Sequence, residues 1–182
     1  MILLSPVVPS TGGTGLAMRA GVALTALSTR YPVHVLVVPV VGDTEPPDWA
    51  LAHANSVTVA PLFTRETAAA GIMELLADPA WRTRLTATEP LPEPARRASP
   101  GLARPILARA DLPRGTPLHV IRSYLAPLGV ALADQLDSPW TTLDLDDDDE
   151  ALLRDEGADE EAESYRRLIR VFGPSYRWCG LA

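Results

Sequence analysis

The 182-residue chain contains no lysine; all 16 of its basic side chains are arginine. That excludes a Walker-type loop, in which a lysine reaches the phosphates of a bound nucleotide. A single cysteine, Cys179, excludes an internal disulfide and a cysteine-based zinc site. Aromatic residues make up 5% of the chain against 47% hydrophobic residues overall, so the core must be aliphatic. No apolar run reaches membrane-spanning length. No basic stretch precedes an apolar segment at the N-terminus, so no signal peptide is expected. Arginines are nowhere interleaved with aromatics as a nucleic-acid platform requires. These absences predict a single domain in a reducing, cytoplasmic setting, without nucleic acid and without a transmembrane segment; peripheral membrane contact stays open.

The net charge of −7 is a local property. Residues 144–163 hold 12 of the 23 acids and one arginine, Arg154. Elsewhere fifteen arginines face eleven acids, so the remainder is slightly basic. The acidity is a block, which the sequence reads first as a solvated helix face over 155–163.

What is present is an alternation of strands and helices. Residues 1–8 are apolar, residues 9–15 are Pro-Ser-Thr-Gly-Gly-Thr-Gly, and a helical pattern follows with Leu16, Ala20, Ala23, Leu24 and Leu27 on one face. Residues 33–41 form a near-continuous β-branched run, as in a strand buried on both faces. Shorter strands are expected at 56–60, 118–121, 140–145 and 176–181. Helices are expected at 64–77, with 81–85 as a continuation, and at 125–136 and 150–172, the last with a weak point at Gly157. Residues 87–117 break the pattern: they hold seven of the 18 prolines and five arginines. They are expected to form a linker or an excursion with one short helix near 102–110. The alternation predicts an α/β fold: a doubly wound, mainly parallel sheet of about six strands, Rossmann-like, with helices on both faces. Such sheets bind ligands beyond the C-terminal ends of their strands. The strand ends to examine are residues 9–15, 122–124 and 144–149.

Glycines between a strand and a helix leave backbone N–H groups at a helix N-terminus, where an anion can sit. The spacing Gly12-Gly13-x-Gly15, then Gly21, does not fit the dinucleotide fingerprint G-x-G-x-x-G. A tight turn that serves packing alone is the competing reading. Arg122, at a strand end, can project into the cleft and bind a phosphate or carboxylate bidentately. His119 lies within its strand and reads more readily as a packed histidine than as a catalytic one. His34 and His53 have no carboxylate nearby in sequence. The run Leu143-Asp144-Leu145-Asp146-Asp147-Asp148-Asp149-Glu150 has three readings. In order, they are a capped and charge-complemented helix start, carboxylates lining a cleft, and a D-x-D metal site formed by Asp144 and Asp146.

Three stretches together carry a family resemblance: PSTGGTGLAMRAGVALTALSTRYPVHVLVVPV at 9–40, HVIRSYLAPLG at 119–129 and TTLDLDDDDEALLR at 141–154. They resemble the N-terminal Rossmann-like domain of GT-B glycosyltransferases of the family-4 type, over nearly the whole chain in element order. The resemblance implies one Rossmann-like domain, 1–182, that shapes the acceptor side of a cleft. A second domain, bearing a Glu-x7-Glu signature, would bind the nucleotide sugar. It implies that Gly12, Gly13, Thr14 and Gly15 face the donor phosphates. Arg19, Arg122, Asp144 and Asp146 would contact substrate, and no metal or other cofactor is needed. For Arg19, a solvent-facing helix position is an equal alternative. The chain finishes on Trp178-Cys179-Gly180-Leu181-Ala182, in or just after a strand. That raises the expectation of an N-terminal piece of a longer, two-domain enzyme, inactive alone; the alternative is a complete protein whose last strand closes the sheet. Two further functions stand beside this one: an accessory subunit of a separate glycosyltransferase, and a nucleotide-binding module of the NAD type, for which Asp43 would bind the ribose.

Overall fold

The computed structural model describes residues 1–40, 45–145 and 147–181. Its strands are β1 (Ile2–Ser5), β2 (His34–Val37), β3 (Ser56–Val59), β4 (Leu118–Ile121), β5 (Thr141–Asp144) and β6 (Trp178–Gly180). All adjacent pairs are parallel, in the order β3-β2-β1-β4-β5-β6. This is the doubly wound arrangement the sequence predicts, with β1 beside β2. The chain winds outward from β1 in one direction and from β4 in the other. The switch point therefore lies between β1 and β4.

The helices are α1 (Gly15–Ser28), α2 (Asp48–His53), α3 (Arg65–Leu75), α4 (Pro79–Thr88), α5 (Glu93–Arg97), α6 (Ala103–Leu107), α7 (Ala126–Leu136), α8 (Asp149–Asp155) and α9 (Asp159–Phe172). Alternate strand residues divide the core. Leu3, Val35 and Val37 face α1 and α2 and meet Ala20, Leu24 and Ala50. Ile2, Leu4, Leu36, Leu118, Val120 and Leu143 face the other layer, which holds Trp81, Leu128, Leu132, Leu168 and Phe172. Tyr176 anchors this layer, its hydroxyl donating to the Ala126 carbonyl at 2.7 Å.

The sequence reading is refined in three places. The helical stretch expected at 150–172 is two helices, broken where Gly157 takes φ +78°. The stretch 81–85 belongs to α4, a separate helix capped by Asp78, which accepts from Ala80 N–H at 2.8 Å. Residues 87–117 do not leave the fold. Ala95, Ala98, Leu102, Ala103 and Ile106 are buried in the main core. Here α3 and the 3-10 turn at Pro100–Leu102 cross backbone to backbone. A Cβ on Gly71 would lie 1.9 Å from the Gly101 carbonyl oxygen, and one on Gly101 would lie 2.3 Å from that of Ala68. Among the described residues no helix is long and apolar enough to cross a membrane.

Candidate functional site

The C-terminal ends of β1, β4 and β5 converge at the switch point. After β1 the chain passes through residues 6–14 before entering α1. Thr14 caps that helix, its hydroxyl accepting from Ala17 N–H at 3.2 Å. Ser10 steadies the turn, its hydroxyl accepting from Gly12 N–H at 3.3 Å. The first turn of α1 contains no acid. Helix geometry leaves the N–H groups of Gly15 and Leu16 without an intrahelical acceptor. The positive end of the helix dipole is thus presented to solvent.

The glycines here differ in what requires them. Gly21 is a packing glycine: a Cβ on it would lie 2.2 Å from the Ser10 carbonyl oxygen. Gly13 takes φ +95°, which L side chains rarely adopt. Gly12 and Gly15 have ordinary φ, and a Cβ on either would meet no described atom within 4 Å. All of residues 11–15 are exposed. Close packing within the chain therefore explains Gly21 and does not explain Gly12 or Gly15.

Arg19 and Asp144, expected to contact substrate, contact each other. Arg19 donates from Nε to Asp144 Oδ2 at 3.1 Å and from Nη2 to Oδ1 at 3.0 Å. The Asp144 side chain is 5% exposed and that of Arg19 28%. This fork closes over β4, tying α1 to the end of β5. Arg19 is thereby not the solvent-facing residue of the alternative reading.

Arg122 ends β4 in the left-handed region, φ +83°. Its N–H donates to the Asp144 carbonyl at 2.8 Å. Its guanidinium meets Asp147 at 3.0 Å and Asp149 at 3.2 Å. The Ser123 hydroxyl also donates to Asp149. Asp148 caps α8, accepting from Ala151 N–H at 3.1 Å. Glu150 pairs with Arg166 and Arg154, whose guanidinium groups hold its carboxyl below the usual range. The aspartate run thus caps a helix and fastens it to the end of β4. Among the described residues no three or more His, Cys, Asp or Glu side chains are grouped so as to hold a metal ion. Asp146 and Asp43 lie outside the described residues.

His119 is placed in mid-strand. Its Nδ1 lies 2.8 Å from the Thr142 hydroxyl, and burial lowers its pKa, with Asp144 opposing. It shares the sheet face of Leu3 and Asp144, the face on which α1 packs. His34 meets Ser56 at 3.0 Å, and His53 bonds the Trp49 carbonyl within α2.

Sequence reasoning missed a cavity of about 380 Å³ beside the switch point. Leu145, Tyr165, Ile169 and Leu181 line its apolar part, and Ser123 and Asp149 its polar edge. Burial, with Asp149 adding to it, pushes the Tyr165 phenol well above its usual range.

No family model matches this chain, and neither a curated protein nor a solved structure does.

Proposed function

We infer that the chain is the acceptor-side, N-terminal domain of a GT-B-type glycosyltransferase, with its glycine turn directed at the diphosphate of a nucleotide sugar. The observation that carries this reading is the turn itself. Among the described residues nothing crowds a Cβ on Gly12 or Gly15 and neither takes a positive φ, yet they stand on the switch-point rim at a helix N-terminus whose first N–H groups, at Gly15 and Leu16, have no intrahelical acceptor. A ligand that approaches the backbone closely explains glycine at those positions.

In this reading the turn's N–H groups stabilise charge on the departing diphosphate. Arg122 and the Arg19–Asp144 fork hold the ends of β4 and β5 in register with the turn. The sugar nucleotide's base and sugar are bound by a second domain, so the chain alone transfers no sugar. The dinucleotide-module reading is favoured by one observation, the strand order β3-β2-β1-β4-β5-β6, which NAD domains share.

A two-dimensional ¹H–¹⁵N NMR titration separates the two. With UDP, shifts are expected at Gly12 to Leu16 with weak, millimolar-scale affinity, because one turn cannot replace an enclosed pocket. Saturation by NAD at micromolar concentration would favour the dinucleotide module. Turnover of a nucleotide sugar by the 182-residue chain alone would contradict the division into two domains.

A further inference from the structure

A second cavity, of about 610 Å³, opens at the C-terminal ends of β2 and β3, on the far side of β1 from the aspartate run. Its inner wall is apolar: Val38 and Leu102 are buried, and Val40 and Phe63 pack on the same core. Its rim is cationic. Arg65 begins α3, and α5 brings Arg96 and Arg97 to the opposite side. Among the described residues lining the cavity one carboxylate, Glu93, shares this rim, at 2.7 Å from Arg96 and 3.2 Å from Arg97. Arg109 adds a further cation, lying over the Phe63 ring at 5.2 Å. Leu62 stands at the mouth with 86% of its surface exposed.

Each feature selects something different. Among the described residues, three guanidinium groups against one carboxylate favour an anion with several acceptor oxygens, which arginine binds in a fork. An aliphatic and aromatic wall favours an apolar body. An isolated leucine at the mouth extends that apolar track outward. The fold brings these groups together through the proline-rich segment, since α5 lies within it.

We propose that this cavity binds an amphiphilic anion: a phosphate group carried on an alkyl or aryl body, its oxygens at Arg65, Arg96 and Arg97 and its apolar part against Val38, Phe63 and Leu102. The site is separate from the glycine turn and does not require that the chain serve a glycosyltransferase. If the glycosyltransferase reading holds, it gives the chemical class of the acceptor.

The test uses octyl phosphate below its micelle concentration, inorganic phosphate and octyl glucoside, each titrated by NMR into the chain. Octyl phosphate is expected to shift the amides of Phe63, Thr64 and Ala68 and to bind at least about tenfold more tightly than either of the others. The paired variant Arg65→Gln with Arg96→Gln is expected to weaken it by about tenfold, as is Leu62→Glu, which sets a negative charge at the mouth. These side chains are exposed, so melting temperature should be unchanged. Octyl glucoside or phosphate binding as tightly as octyl phosphate would overturn the proposal, as would unchanged binding by both variants. Co-sedimentation with phosphatidate vesicles distinguishes the source. Sedimentation together with octyl phosphate binding supports a bilayer lipid, and octyl phosphate binding without sedimentation supports a free amphiphile. Sedimentation without octyl phosphate binding would overturn the cavity as the site.

Discussion

Three kinds of residue stand at the switch point, and they do different work. Gly21 permits a close backbone approach, Gly13 permits a turn, and Gly12 and Gly15 permit neither within the chain. Arg122 holds a positive-φ backbone conformation that costs a non-glycine residue about 1–3 kcal/mol, and its side chain pairs with Asp147 and Asp149. Burial lowers the pKa of His119, disfavouring its charged form more than Asp144 favours it. A histidine with a folded-state pKa below its ordinary value near 6.5 binds fewer protons when folded than when unfolded. Its contribution is therefore fully present above about pH 6.5 and is lost as pH falls through the lower folded value. His34, lowered by burial and then by the N-terminal amine, acts in the same direction. Urea midpoints measured from pH 7.5 to 5 should fall for the wild type and fall less for His119→Gln, which keeps a hydrogen-bonding partner for Thr142. Parallel curves for the two proteins would show that His119 is not held neutral by the fold.

At the scale of elements, the most consequential contact is the crossing of α3 over the 3-10 turn at Pro100–Leu102. Two glycines face each other there, with no room for a methyl group on either. Gly71→Ala and Gly101→Ala should each destabilise the chain by about 2–3 kcal/mol, the upper range for overpacking, read from urea unfolding. A loss under about 0.5 kcal/mol, as at an ordinary surface position, would contradict this crossing. This contact was not legible in the sequence. Residues 87–117 fold into helices of five residues and a 3-10 turn, too short for a hydrophobic period to register. The strands were legible for the opposite reason. A strand buried on both faces reads as a continuous apolar run, so 33–41 announced β2 even though the ladder covers only His34–Val37. Capping was legible too: the aspartate run was read first as a helix start, and Asp148 caps α8. The fork between Arg19 and Asp144 was not, because 125 residues separate the partners and only the closed sheet brings them together. Residue type placed both at the rim; it could not say that they would satisfy each other.

Across the whole molecule, the C-terminal rim of the sheet is divided by charge. Arg65, Arg96 and Arg97 stand over β2 and β3 with Glu93 among them, Asp147, Asp148 and Glu150 stand beyond β5, where Arg122, Arg154 and Arg166 pair with acids of the run, and the uncharged glycine turn lies between. The net charge of −7 conceals this division. On the proposed reading the turn faces a phosphate and does more than pack α1 on the sheet. The measurement that tests it most directly is a UDP titration of Gly12→Val, followed by NMR, with thermal melting of the same protein. Among the described residues nothing opposes a side chain at Gly12, so the melting temperature should match the wild type, while the UDP-induced shifts at Gly15 and Leu16 should be lost. A variant that melts like the wild type and still shows the full UDP response would contradict the claim and reduce the turn to a connection between β1 and α1.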